Sequence, residues 1–202
     1  MLKLIGMPQA RTLRVMWVLE ELGLDYELVP ARPHSEAICA VNPSGKVPAL
    51  LVDGTVLLES VAICQFLADR AGQLTFPAGT IERARQDGFT QFIVDNIEGA
   101  LWNAGKHSFI LPEDKRVAAL KPVLKWEFDR AMDTLGQMFG EGPYLMGETF
   151  TIPDVLMGHA ASWARMAKFD LPDGRVGDYI RRIEHRPAVE RLRARMAQAE
   201  AG

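Results

Sequence analysis

Cysteine is nearly absent: the 202 residues hold two, Cys39 and Cys64, with neither a CxxC spacing nor a dense framework. That excludes a disulfide-stapled secreted scaffold and fits a reducing compartment. An excess of charge of one sign is missing too. The 23 basic and 26 acidic residues, formal net charge −3, are interspersed, so no basic stripe exists to follow a phosphate backbone and nucleic acid is not an expected partner. Charged residues interrupt each apolar run before it reaches membrane-spanning length, and residues 1–11 carry neither a long apolar region nor a small-residue cleavage site. The expectation is a soluble, cytoplasmic protein with no membrane partner. His34, His107, His159 and His185 are scattered, and His107 has no companion at helical ligand spacing, so no metal site is expected.

What is present is apolar bulk, 48% of the residues, enough to bury a substantial core in two small domains. Residues 2–5 predict a strand. Residues 12–22 carry Val15, Val18, Leu19 and Leu22 on one helix face, and Gly23 is placed to end that helix. Residues 26–29 alternate as a strand does, and 47–52 and 55–58 flank Asp53-Gly54 as a hairpin with a primed two-residue turn. A helix from Ser60 to Arg70 stops at Ala71-Gly72, with Cys64 as a small core residue inside it.

The order βαβαββα predicts an α/β thioredoxin-like domain over 1–74: a parallel strand pair joined through a crossover helix, then an antiparallel hairpin. Phe76-Pro77-Ala78-Gly79 has no period and marks a linker at 75–80. Residues 81–202 read as an all-helical domain. Within it, 81–104 shows Phe89, Ile93, Ile97 and Leu101 four residues apart, and 114–139 shows Val117, Leu120, Leu124, Phe128, Ala131, Leu135 and Met138 on a similar stripe. Helices over 151–167, 176–184 and 187–199 complete it.

The segment Asn42-Pro43-Ser44-Gly45-Lys46-Val47-Pro48-Ala49-Leu50 is the most informative. Proline has no N–H to give a sheet, so Pro48 starts the strand through a tight bond, cis in one reading and that of an ordinary edge-strand proline in the other. The cis form turns the Val47 amide and carbonyl outward, where a peptide-like ligand can pair with them as an added strand. One hairpin later, Glu59-Ser60 opens a helix. Ser60 is a good N-cap, and helix N-terminal amides favour an anion; a ligand carboxylate at Ser60 with its amine at Glu59 and plain helix capping both fit.

These two segments, at this spacing, resemble the glutathione-binding half of the cytosolic glutathione transferases. Residues 11–24 resemble that family's first helix. Thr151-Ile152-Pro153-Asp154 resembles the capping box of its core helix, with Phe150 and Val155 as the hydrophobic staple, and Arg182-Ile183-Glu184 with His185-Arg186-Pro187-Ala188-Val189 resembles its C-terminal helices. The resemblance implies glutathione as co-substrate and a homodimer. It assigns the cysteinyl backbone to Val47, a cis bond to Pro48 and the γ-glutamyl end to Glu59 and Ser60; Lys46 is a candidate for the glycyl carboxylate or a solvated loop lysine.

Catalysis in this family lowers the pKa of a thiol that is ordinarily protonated at neutral pH, with a reference near 8.5. Family members place Tyr, Ser or Cys between the first strand and first helix, whereas the loop here, Gly6-Met7-Pro8-Gln9-Ala10-Arg11-Thr12, has none of them. Thr12 is its only hydroxyl, a thiol donor or the helix N-cap. Arg11 offers charge, and the amides of Ala10 or Arg11 offer main-chain donors. The electrophile site is expected between the domains, lined by Met7, Pro8 and the helix from Ile81, with Trp102, His107 and Phe109 as candidates for it or for core packing.

The resemblance therefore implies a transferase that adds glutathione to small hydrophobic electrophiles, or reduces peroxides or disulfides with it. A glutathione-binding or protein-interaction module with little catalysis is the alternative. Maleylacetoacetate isomerase, found in the same superfamily, is disfavoured because its Ser-Ser-Cys loop is absent.

Overall fold

In the computed structural model, which describes residues 1–201 and side chains to residue 197, the chain divides into two compact units: Met1–Pro77 with His185–Gly202, and Ala78–Glu184.

The first unit is built on a four-stranded sheet of order β2-β1-β3-β4. β1 (Leu2–Ile5) lies parallel to β2 (Glu27–Val29) and antiparallel to β3 (Ala49–Val52), which pairs antiparallel with β4 (Thr55–Leu58). The parallel pair is possible because α1 (Thr12–Leu22) makes the crossover. Val15, Val18 and Leu19 of α1 are fully buried, and α1 packs on α3 (Ser60–Ala71), whose Ile63, Cys64 and Leu67 are buried in turn. The sheet's other face buries Ile5, Ala31, Ile38 and Ala49, with Val47 packed against them; Ile38 comes from the short α2 (Glu36–Cys39). Asp53 and Gly54 both take positive φ, +50° and +88°, the hairpin turn that suits twisted strands.

Two strands are shorter than the alternation suggests. Tyr26 precedes β2, buried, with its hydroxyl donating to Glu20 Oε1 at 3.3 Å; β3 begins at Ala49, after Pro48, which has no N–H for the ladder.

The last helix, α9 (Pro187–Ala201), expected with the helical domain, groups with the first unit and packs on α1. Charge complementarity holds it there. Arg186 donates to Glu21 through Nε and Nη2 at 2.6 and 2.8 Å, Arg195 Nε to Glu20 at 2.6 Å, and the Arg195 guanidinium lies 4.4 Å over the Tyr26 ring.

The second unit is helical. α4 (Ile81–Phe92), a π-helical stretch (Ile93–Glu98), α5 (Gly99–Gly105) and a second π stretch (Lys106–Ile110) run consecutively, with Phe89, Ile93, Ile97 and Leu101 buried as the four-residue spacing predicts. The expected helix over 114–139 is corrected at its start. A 3₁₀ turn (Glu113–Lys115) comes first and α6 (Leu120–Met138) begins six residues later than expected, so Val117 lies outside it and is exposed; Met138, at its other end, is also exposed. Arg116 explains the break: its Nε and Nη2 donate to the carbonyls of Leu111 and Phe109 at 2.8 and 3.1 Å, folding 109–116 back on itself. α7 (Ile152–Ala167) and α8 (Gly174–Glu184) complete the unit, and the capping box at Thr151–Asp154 forms, with Asp154 Oδ2 accepting from the Thr151 N–H at 2.8 Å.

Candidate functional site

Strand register decides what meets at one end of the sheet. Ala49 pairs with Ile5 of β1 and with Leu58 of β4, so one step further along the strands Pro48 faces Glu59, and both lie beside the loop that leaves Ile5 for α1. Three segments far apart in sequence, 6–12, 46–48 and 59–60, are thereby gathered at one edge, under the N-termini of α1 and α3.

The Val47–Pro48 bond is cis. Among the described residues, neither the amide nor the carbonyl of Val47 has a hydrogen-bond partner within the chain, while its side chain packs into the cluster around Ile38. Opposite, Glu59 is exposed and takes φ +65°, ψ +113°, a conformation that costs a non-glycine residue about 1–3 kcal/mol. Glu59, not Ser60, occupies the N-cap position of α3, and no side chain there caps the helix. This corrects the expected cap. Ser60 is the first helical residue, 4% exposed, and its hydroxyl accepts from Arg14 Nη1 at 3.3 Å. Lys46 is exposed.

The α1 end differs from expectation at its hydroxyl. Arg11 is the N-cap residue and Thr12 the first of the helix. Thr12 is 0% exposed, and its Oγ1 has no hydrogen-bond partner. Oγ1 is enclosed against Gly6, where a Cβ would stand 2.3 Å from it and where φ is +155°. Thr12 is therefore not the N-cap, and its hydroxyl is enclosed by the chain. Ala10 and Arg11 are half-buried.

Comparison with known proteins identifies the family. Residues 10–70 match the family described as Glutathione S-transferase, N-terminal domain. Glutathione S-transferase GstA of Escherichia coli O157:H7 is 28% identical over 199 residues, covering 94% of this chain and 96% of its own. A crystal structure of a glutathione transferase from Methylococcus capsulatus str. Bath is 31% identical with TM-score 0.83, covering 98% of this chain and all of that one. The chain belongs to the glutathione S-transferase family. A glutathione transferase homologue from Sulfitobacter, solved with bound glutathione, shares the fold at TM-score 0.81 and 22% identity, covering 96% and 98% of the two chains.

Against this transferase frame, three residues not singled out from the sequence stand out. Arg14 is 1% exposed within Leu13-Arg14-Val15-Met16, and a charge inside an apolar run is the signal that marks it. Burial raises the thiol of nearby Cys64 to about 12, the Arg14 charge opposing, so Cys64 stays protonated and inert. Asn42, 7% exposed, hydrogen-bonds within the loop before Val47. His34, at φ +63°, lays its ring against Gly45, and its backbone amide donates to the Gly45 carbonyl at 2.7 Å.

The expected electrophile-site residues belong to different units. In the first, Met7 is half-buried and Pro8 buried. In the second, Trp102 stacks on Trp163, ring centres 6.1 Å apart, and Trp163 meets His159 at 4.6 Å. His107 Nδ1 accepts from the Val117 amide at 3.2 Å, and Phe109 is 65% exposed. An open depression of about 590 Å³ is lined by Pro30, Ala31, Arg32, Ser35 and Glu36 and adjoins the first of the gathered loops, since the Ala31 amide donates to the Gly6 carbonyl at 3.3 Å. Among the described residues no cluster of three or more His, Cys, Asp or Glu could hold a metal ion, and no helix is long and apolar enough to cross a membrane.

Proposed function

We propose that this chain binds glutathione at the gathered loops and is a glutathione transferase, presenting the bound thiolate to small hydrophobic electrophiles or spending it on peroxide or disulfide reduction. The observation that carries the proposal is the unengaged main chain of Val47, one strand away from Glu59 and the uncapped end of α3. The Val47 amide and carbonyl pair with the cysteinyl unit as an added strand. The γ-glutamyl carboxylate takes the α3 amides beside Ser60, its ammonium takes Glu59, and Lys46 reaches the glycyl carboxylate.

Thr12 being enclosed, thiolate stabilisation falls to the positive end of α1, through the Ala10 and Arg11 main chain and the Arg11 guanidinium. The thiol proton leaves to water, and the sulfur lone pair forms the new bond to the electrophilic carbon while a halide departs with its bonding pair or the π pair of an activated double bond moves onto its acceptor. In reduction the sulfur breaks the O–O or S–S bond, and a second glutathione thiol closes the glutathione disulfide as the alcohol or thiol leaves. Met7 and Pro8, in the same loop as Ala10 and Arg11, are the proposed electrophile contacts. A cytoplasmic homodimer is the proposed working form.

A specific observation keeps a second reading in play: with no reachable hydroxyl or thiol in the first loop, the protein binds glutathione and turns over little. Retention on immobilised glutathione, together with conjugation of a chlorinated nitrobenzene, supports the transferase. Retention without conjugation selects the binding module, and no retention removes both.

A further inference from the structure

Asn42 is wired to both ends of the turn it begins. Its N–H donates to the Ile38 carbonyl at 2.8 Å, tying it to the end of α2, and its carbonyl accepts from the Gly45 amide at 2.9 Å. Oδ1 accepts from the Ser44 amide at 3.0 Å and the Ser44 hydroxyl at 2.9 Å; Nδ2 donates to the Lys46 carbonyl at 2.7 Å. The Ser44 amide can only donate, so the orientation of the Asn42 amide is forced: oxygen toward Ser44, nitrogen toward Lys46.

The Lys46 carbonyl and the Val47 N–H belong to one planar, trans peptide unit and therefore point in opposite directions. Gripping the carbonyl from inside aims the N–H outside. The Val47 side chain, held in the cluster with Ile38 and Ala49, fixes the other side of the same residue.

We propose that Asn42 is a positioning residue: by holding the Lys46 carbonyl it orients the Val47 amide toward a main-chain acceptor of the bound peptide. The proposal rests on the glutathione reading for the identity of that peptide. It names a side chain that never touches the ligand yet sets the direction of the donor that does. Asparagine is required because the site presents one donor and one acceptor to a single planar amide; aspartate, of the same shape, sets a carboxylate oxygen against the Lys46 carbonyl.

The test is Asn42→Asp in the full chain, with Ser44→Ala as the companion that keeps the Nδ2 contact. Asn42→Ser, which adds no charge, carries the test if the first variant does not fold. Two quantities are read: the glutathione dissociation constant by calorimetry, and the ¹⁵N order parameter of the Val47 amide in the free protein. N42D is expected to weaken glutathione about tenfold and to drop the Val47 order parameter below about 0.85, the rigid-backbone value. Ser44→Ala is expected to weaken binding by less than about threefold: it removes the hydroxyl's bonds to Asn42 Oδ1 and from the Lys46 amide but leaves the Nδ2 grip on the Lys46 carbonyl.

Wild-type affinity and an unchanged Val47 amide in N42D overturn the proposal, and so does a Ser44→Ala loss equal to that of N42D. If the wild type itself does not bind glutathione, the glutathione reading falls. The order parameter then still decides whether Asn42 orients Val47.

Discussion

Two helices of this chain begin in opposite ways. The N-terminus of α7 is closed by its own residues: the Asp154 carboxylate accepts from the Thr151 amide and hydroxyl, the Leu145 amide and the Tyr179 hydroxyl, all buried. The N-terminus of α3 has no side-chain cap, is preceded by Glu59 in a costly conformation, and its serine hydroxyl is turned to Arg14 instead. A helix end leaves several amides without partners, and a fold either supplies acceptors from within or leaves them for something else to supply. The closed end is satisfied from within the fold; the open one, in the first unit, is where a carboxylate ligand is proposed to bind.

That contrast can be broken by substitution. Asp154→Ala strips acceptors from several buried donors, and a stability loss of about 3–5 kcal/mol is expected in urea unfolding at neutral pH; a loss under about 1 kcal/mol would put the closed end's contribution elsewhere.

Next in size is a pH dependence at the same carboxyl. Burial raises Asp154 from its ordinary value of 3.8 to about 6, against the downward pull of its hydrogen bonds to Thr151, Leu145 and Tyr179. The folded state thus holds this proton more tightly than the unfolded chain does. The associated stability is present below about pH 4 and is lost as pH rises to about 6, on the order of 3 kcal/mol in all. The difference between wild type and Asp154→Asn across that window should show the step, and parallel pH profiles would remove it.

At the open end, Ser60→Ala should raise the glutathione dissociation constant at least about tenfold while moving the urea midpoint far less than Asp154→Ala does. Undiminished binding would refute the γ-glutamyl assignment.

The smallest effect belongs to Thr12→Val, which replaces a buried hydroxyl that has no hydrogen-bond partner with a methyl group. Stability is expected to hold or rise by up to about 1 kcal/mol, with the apparent pKa of bound glutathione unmoved. An upward shift of that pKa would return Thr12 to the chemistry.

Much of this is legible in the residues. The hairpin turn at Asp53-Gly54, the proline before β3 and the capping box at Thr151–Asp154 are local, and each depends on neighbours within a few positions. Arg14, Asn42 and the arginines at and just before α9 are not legible in that way. Arg14 is recognisable only once α3 brings Ser60 to it, and Glu20 and Glu21 meet Arg186 and Arg195 across more than 160 residues. Thr12 is a case of the same kind: it is the only hydroxyl of its loop, and only the packing against Gly6 shows that this hydroxyl is enclosed.

By itself the sequence determined the order of strands and helices, the turns and the family motifs, because periodicity, φ preference and capping act over short distances along the chain. Tertiary structure alone decided that 6–12, 46–48 and 59–60 share one edge, that Thr12 is enclosed while Val47 is open, and that the last helix joins the first unit. Those outcomes depend on strand register and on which surfaces exclude water, and neither is a property of any one segment.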